Sequence, residues 1–332
     1  MLSGHPYKLN KVVDGQPPEY PYSEVPEPPE GYTWDDITYV IGGFGWKARF
    51  IGKDGFIITG DADATTQYNF ANEEVGKEAG WVAYHAGEEK PYNCGPCHTT
   101  GYSAWPPDAH QDDLPGIVGT WAEPGVQCER CHGPGGNHID NPHGVAMKID
   151  RTSQLCGDCH IRGSVSDIDA KGGFTKHHEQ AEEMYASKHF ALGCVACHDP
   201  HASALYADEE VNPNKGIWND CQDCHFEQAT NQKSATMAAM VECTDCHMPP
   251  MAKSAWGNVD IFTGDVQTHL FAINVDPDAA QFSEDGSVTM PYITVQYACG
   301  SCHVEGAGRA RAGMPRTVEE LVEYARGYHE GP

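Results

Sequence analysis

The sequence predicts a mostly irregular, loop-rich chain with short helices and a small N-terminal β unit, its core built around stacked planar cofactors rather than aliphatic side chains. Three observations lead there. Cys-x-x-Cys-His occurs seven times and uses all 14 cysteines: Cys94, Cys97 and His98; Cys128, Cys131 and His132; Cys156, Cys159 and His160; Cys194, Cys197 and His198; Cys221, Cys224 and His225; Cys243, Cys246 and His247; Cys299, Cys302 and His303. The 36 Gly and 23 Pro among 332 residues favour turns over long regular elements. The motifs follow one another at 34, 28, 38, 27, 22 and 56 residues, too irregular for a solenoid repeat.

Cys-x-x-Cys-His is the attachment signature of c-type haem: both thiols add to the porphyrin vinyl groups and the adjoining histidine reaches the iron from one face. Zinc ribbons, thioredoxin-type couples and structural disulfides also pair cysteines, but none requires histidine after the second one. Cys94-Gly95-Pro96-Cys97 looks like a redox couple by itself, yet His98 follows it and no βαβ pattern surrounds it. The chain is therefore expected to carry seven haems c. That leaves about 47 residues per haem, so much of the buried apolar surface has to be porphyrin, and haem loss should unfold the chain.

A formal charge of −27 excludes a basic nucleic-acid footprint and makes an anionic membrane surface an unsuitable partner. No window is long and apolar enough to span a membrane, and the first 30 residues lack the apolar core of a signal peptide.

Residues 1–30 read as an extended, proline-rich arm, with Pro17, Pro18, Pro21, Pro26, Pro28 and Pro29. Such an arm either dangles or docks. Residues 31–93 form a small β-containing unit without a haem motif, in which Ile37 to Ile41 and Lys47 to Ile51 alternate like strands and Asp54-Gly55 turns the chain toward Phe56 to Thr59. This unit is expected to cover the first haem. The seven-haem domain spans residues 94–316, with helices near 176–190 and 232–242. Residues 317–332 form a C-terminal helix and tail, opened by a Thr317/Glu320 capping box over 317–327.

A six-coordinate haem needs a second axial ligand. Eleven histidines lie outside the motifs, enough to make every haem bis-histidine. The candidates for the distal position are His5, His110, His138, His177, His178, His189, His201 and His269. His201 ends a Cys-His-Asp-Pro-His run whose tight turn lets His198 and His201 face different irons. His189 precedes Cys194 by five residues. His178 falls on nearly the same helical face as His189, with His177 about 120° away, so one of the 177/178 pair is expected to ligate. His138 closes a glycine-rich run that lets backbone approach porphyrin, and His110 precedes a loop to Trp121. His85, His143 and His329 read as surface or haem-edge histidines.

Tyr92-Asn93-Cys94 through His98-Thr99-Thr100-Gly101-Tyr102, the Cys128 to His138 segment and the His178 to His201 segment resemble bacterial and archaeal multihaem c-type cytochromes. That lineage includes octahaem nitrogen-cycle enzymes and surface cytochromes of extracellular electron transfer. The N-terminus, with Ser3-Gly4-His5-Pro6-Tyr7-Lys8, is similar to cytochromes that polymerise into extracellular nanowires, in which a histidine of one subunit ligates a haem of its neighbour. The resemblance implies a head-to-tail homopolymer with His5 reaching an adjacent subunit. An extended arm of about 25 residues spans on the order of 75 Å. It also implies an extracellular or cell-surface location, with the periplasm as alternative, and a secretion signal removed before Met1.

The function expected is electron transfer along seven bis-histidine haems, without substrate chemistry. Redox proteins or extracellular acceptors would be its partners. The alternatives are a monomeric periplasmic shuttle, or an oxidoreductase acting on nitrite, hydroxylamine or a sulfur oxyanion at one open-coordinate haem. The histidine surplus and the absence of a Cys-x-x-Cys-Lys motif favour the carrier.

Overall fold

The computed structural model describes residues 5–202, 216–305 and 315–330. It divides into two units, the first comprising Met1–Ala71, Ala79–Leu155 and Asp199–Ile217, the second Asn72–Glu78, Cys156–His198 and Trp218–Pro332.

The first unit is organised by an antiparallel five-stranded sheet in the order β1 (Leu9–Lys11), β2 (Ile37–Gly42), β3 (Lys47–Gly52), β4 (Gln67–Asn69) and β5 (Gly80–Val82). Both faces are buried, which is why Ile37 to Ile41 is almost continuously apolar. On one side Leu9, Tyr39, Ile41, Ile51 and Ile57 pack with Tyr92, Ile117 and Trp121. On the other, Val12, Val25, Ile37, Val40, Ala48, Phe50 and Ile58 form a second cluster. Strict alternation would place Ile37 with Tyr39; a register shift between them sends Ile37 to the opposite face. The Asp54-Gly55 turn is present, with Gly52 N–H donating to Phe56 O at 2.9 Å and Gly55 at φ +85°. Past it, Ile57 bridges Ile51 and also donates to Lys90 O, so 56–59 joins two neighbours instead of extending the hairpin.

The arm docks. Leu9, Asn10 and Lys11 pair with Ile41, Val40 and Tyr39, Leu9 is fully buried, and Val25 joins the second cluster. The free edge of β2 and the apolar Leu9 and Val12 explain the docking better than reach does. His5 forms a backbone bridge with Val126 of its own chain. The boundary at residue 94 shifts for the same reason. Tyr92, Ile117 and Trp121 complete the first core, and the first two motifs belong with the sheet.

The second unit holds a four-stranded sheet built from Ala252–Lys253, Phe174–Lys176, Ile168–Lys171 and Val288–Thr289, over a cluster of Ile168, Met251, Leu270, Ile293, Tyr297 and Ala298. The helix expected over 176–190 is only Gln180–Ala186: Phe174–Lys176 is a strand, and His178 takes φ +76°, a left-handed conformation that no helix accommodates. His178 and His189 therefore share no helical face. The 232–242 helix shrinks to Ala235–Ala238, capped by Ser234. Val318–Ala325 forms as expected, with both halves of the Thr317/Glu320 capping box in place, and Leu321 and Val322 pack on Val295. Among the described residues no helix is long and apolar enough to cross a membrane.

Candidate haem sites

Every motif closes as a turn of helix. The histidine N–H of His98, His160, His198 and His225 donates to the carbonyl of the motif's first cysteine at 2.9–3.1 Å, and the other three motifs lie in Cys128–His132, Cys243–His247 and Val295–His303. Residues i, i+3 and i+4 share a helical face, so two thiols and an imidazole are presented to one side, as attachment to a planar macrocycle requires. No two of the 14 cysteines are joined in a disulfide. Capping boxes Asp220/Asp223 and Glu242/Asp245 hold two of these turns. At the first motif, a Cβ on Gly95 would meet the Tyr102 ring at 2.7 Å, so this position needs glycine.

Five motif histidines face a second imidazole. His132 stands opposite His201 with ring centroids 6.0 Å apart, His160 opposite His178 at 5.9 Å, His198 opposite His269 at 6.2 Å, His225 opposite His189 at 5.7 Å, and His247 opposite His329 at 5.9 Å. An iron bonded to two imidazole nitrogens at about 2.0 Å each separates the ring centres by roughly 6 Å. The spacing of each pair therefore fits one iron between two rings. Among the described residues no group of three or more His, Cys, Asp and Glu side chains is arranged to hold a bare metal ion.

Five of the rings, His98, His189, His198, His247 and His269, are held toward the neutral form, the state in which imidazole binds a metal. Burial, then the charge of Lys8, pushes His98 down to about 3; burial, then His198 and His160, does the same to His269. His198, His247 and His189 are lowered chiefly by burial. Carbonyls orient several rings. Nδ1 of His132 donates to Lys148 O at 2.7 Å, that of His247 to Phe271 O at 2.7 Å, that of His329 to Gln228 O at 3.0 Å and that of His98 to Lys8 O at 3.0 Å. A proton held on Nδ1 leaves the Nε2 lone pair for iron. Nδ1 of His189, His269 and His303 is buried without a hydrogen-bond partner, so no such bond orients these three rings.

Of the distal candidates, His178, His189, His201 and His269 thus stand opposite motif histidines. His177 does not: Arg162 holds its carbonyl at 3.0 Å and lies against its ring, while His178 turns to His160. His201 and His189 serve different motif histidines, His132 and His225, although both flank Cys194. His110 and His138 have Nδ1 tied to Ile117 O and Val145 O at 2.6 Å, the orientation of a ligand, with no motif imidazole facing them among the described residues. His5 packs edge-on against Tyr7. His85 pairs with Glu88 at 2.7 Å, and His143 is exposed. His329, which the sequence reads as a surface or haem-edge histidine, thus stands opposite a motif histidine; its signal is its place just after the capped helix Val318–Ala325 and Gly327. His98 and His303 have no imidazole opposite among the described residues.

Three carboxylates, Glu179, Glu182 and Glu183, are buried around Gln180–Ala186. Glu183 accepts from Thr268 Oγ1 and His269 N at 2.6 and 2.7 Å. Burial, then repulsion from Glu182, pushes Glu179 up to about 8, and burial pushes Glu183 up to about 7. Folded pKa values above the unfolded ones mean that both groups stabilise fully below the ordinary carboxylate range, and that this contribution is lost as pH rises through about 7 and about 8. The unfolding midpoint of the holoprotein should accordingly fall between about pH 5 and pH 8, and Glu179→Gln with Glu183→Gln should flatten that slope. An equally steep slope in the double variant would refute the assignment.

The family model for cytochrome c554 and c-prime matches residues 59–133, which hold the first two motifs. The chain is a multihaem c-type cytochrome. This cytochrome is 26% identical over 202 residues to the dissimilatory sulfite reductase MccA of Wolinella succinogenes, covering 46% of the chain and 27% of that protein. It is 26% identical over 137 residues to the multiheme cytochrome MtrA of Shewanella baltica, covering 38% of the chain and 36% of MtrA. It therefore spans about a quarter to a third of these relatives. Its fold is like that of the octaheme sulfite reductase MccA, with a TM-score of 0.61 at 17% identity over 96% of this chain and 64% of that one. The outer cell wall cytochrome OcwA gives a TM-score of 0.51 at 18% identity, over 80% of this chain and 74% of that one.

Proposed function

We propose that this cytochrome carries one haem c at each of its seven motifs and conducts electrons along them, at least five being bis-histidine. The five facing imidazole pairs carry this reading: with both axial positions filled, an iron exchanges electrons without binding substrate. Proximity supports a relay within the second unit. His269 lies near both His198 and His160, Cys197 near Cys224, Cys221 near Cys243, and Cys246 near Cys302. The attachment sites thus follow one another in the order 160, 198, 225, 247, 303, as a chain of stacked haems requires. A location outside the cytoplasmic membrane, with redox proteins or extracellular acceptors at the ends, goes with this reading. Assembly into a filament of identical subunits rests on family resemblance alone.

A second reading is reduction of a small oxyanion at an open iron. It draws on the lack of a histidine opposite His98 and His303 among the described residues, and on the similarity to a sulfite reductase.

Electron paramagnetic resonance of the oxidised protein tests the first. The His160–His178 and His225–His189 rings cross at 77° and 81°, whereas the other three pairs lie within 9°, 35° and 28° of parallel. Crossed rings leave two iron d orbitals nearly degenerate and give strongly anisotropic low-spin signals; parallel rings split them and give rhombic ones. Two haems of the first kind and three of the second are expected. Carbon monoxide binding at more than two haems of the reduced protein would overturn the proposal; binding at one or two would favour the oxyanion reading at those sites.

A further inference from the structure

Tyr92, Trp121 and Tyr39 form a file of buried rings in the first unit, with centroids 5.9 Å apart between Tyr92 and Trp121 and 5.6 Å between Trp121 and Tyr39, each pair edge to face. One end lies at the first motif. Tyr92 precedes Cys94 by two residues, Cys94 packs on the same cluster, and the Trp121 ring comes within 3.8 Å of a Cβ built on Gly95. The other end reaches solvent. Tyr39 Oη donates to Asp112 Oδ2 at 2.5 Å, the same oxygen accepts from Lys11 Nζ at 2.8 Å, and the Asp112 and Lys11 side chains are 31% and 48% exposed.

The three rings differ in one respect. Tyr92 Oη and Trp121 Nε1 are buried without a hydrogen-bond partner, so neither can pass on a proton when its ring loses an electron. Tyr39 alone has a carboxylate to receive one. Burial and the adjoining Asp112 push the Tyr39 phenol well up, so it keeps its proton until the ring is oxidised. An electron vacancy moving along the file is therefore trapped at Tyr39.

We propose that Tyr92, Trp121 and Tyr39 are an escape path for oxidising equivalents that hydrogen peroxide leaves at the first haem, with Asp112 as the proton acceptor. This rests on the reading that a haem occupies Cys94 and Cys97. His98 is the motif histidine of this unit with no imidazole opposite it among the described residues, which gives peroxide an approach to that iron. Reduction of one peroxide to two waters consumes two electrons and two solvent protons. The iron supplies one electron; the other comes from Tyr39 through Trp121 and Tyr92 as the phenol proton moves to Asp112. Two electrons returning from reduced neighbouring haems restore the iron and the tyrosine, and Asp112 gives the proton back.

The test mixes the oxidised holoprotein with hydrogen peroxide, freezes it within milliseconds, and reads the radical by electron paramagnetic resonance and the oxidised residues by peptide mass spectrometry. The parent should give a tyrosyl signal. Tyr39→Phe should abolish it, move oxidation products to Trp121, and raise haem bleaching severalfold; Asp112→Asn, at a partly exposed position that leaves the core untouched, should lower the radical yield. No radical in the parent, or the same radical and product map in Tyr39→Phe and Asp112→Asn, would overturn the proposal. The mass of the peptide from Cys94 to His98 separates the two levels: without haem on it the haem reading itself fails, whereas haem present with no radical defeats the path alone.

Discussion

Replacing His329 with Ala should open the iron at His247, converting one low-spin haem to a high-spin or carbon monoxide-binding state. Its potential should move by on the order of 0.1 V, within the roughly 0.8 V that axial ligands span. His329 lies outside any local motif, and its position is built from distant contacts. The helix Val318–Ala325 packs Leu321 and Val322 on Val295, which begins the helix carrying the last motif. Lys233 then clamps the chain leaving that helix: its Nζ donates to the carbonyls of Glu323, Tyr324 and Arg326 at 3.2–3.4 Å, and its backbone N–H donates to Tyr328 O at 2.8 Å. His329 Nδ1 is fixed by Gln228 O. Lys233→Ala should therefore weaken ligation at the same haem without removing the ligand, giving a mixture of spin states. His85→Ala, at an exposed residue paired with Glu88, should leave every haem unchanged. Unaltered spectra in His329→Ala would show that the 5.9 Å spacing from His247 is fortuitous.

The contrast between His201 and His329 shows what was legible in the sequence. Attachment chemistry is local: Cys-x-x-Cys-His needs only one helical turn, so all seven motifs and their proximal histidines can be read directly. The Thr317/Glu320 capping box and the β2 and β3 runs are local too. Distal pairing is not, because His132 and His201, or His247 and His329, meet only through the tertiary fold. The face shared by His178 and His189 failed for a backbone reason, since the left-handed His178 ends the helical period that linked them. The proline-rich arm left docking and dangling open because composition reports stiffness, whereas docking was decided by Leu9, Val12 and Val25 finding an open strand edge and a core.

Without haem, the chain should keep its first sheet and lose everything between residues 127 and 167 and, among the described residues, between 188 and 248. In the first stretch Gly135 is the one buried residue, and in the second it is Gly216, so neither buries an apolar side chain of any size. Ordering costs about 1–2 kcal/mol per backbone residue, and a fully buried Leu, Ile or Phe returns about 1.5–3 kcal/mol. With no such side chain the balance runs against folding. Helices of four or five residues, such as Gly136–Asp140 and Phe226–Thr230, cannot offset it. Large apolar side chains are present there but exposed: Ile139, Ile149, Phe190, Trp218 and Phe226 flank the motifs with 56–77% of their surface open. They are the side chains a porphyrin would cover. The sheet β1 to β5, by contrast, has aliphatic and aromatic clusters on both faces. A chain with all 14 cysteines replaced by serine should consequently show hydrogen-exchange protection at Val40, Phe50 and Ile51, with rapid exchange and protease cleavage across 127–167 and 216–248. Cleavage at the same sites should be absent from the haem-loaded protein. Protection of those two stretches in the cysteine-free chain would mean that the polypeptide itself, and not porphyrin, supplies their core.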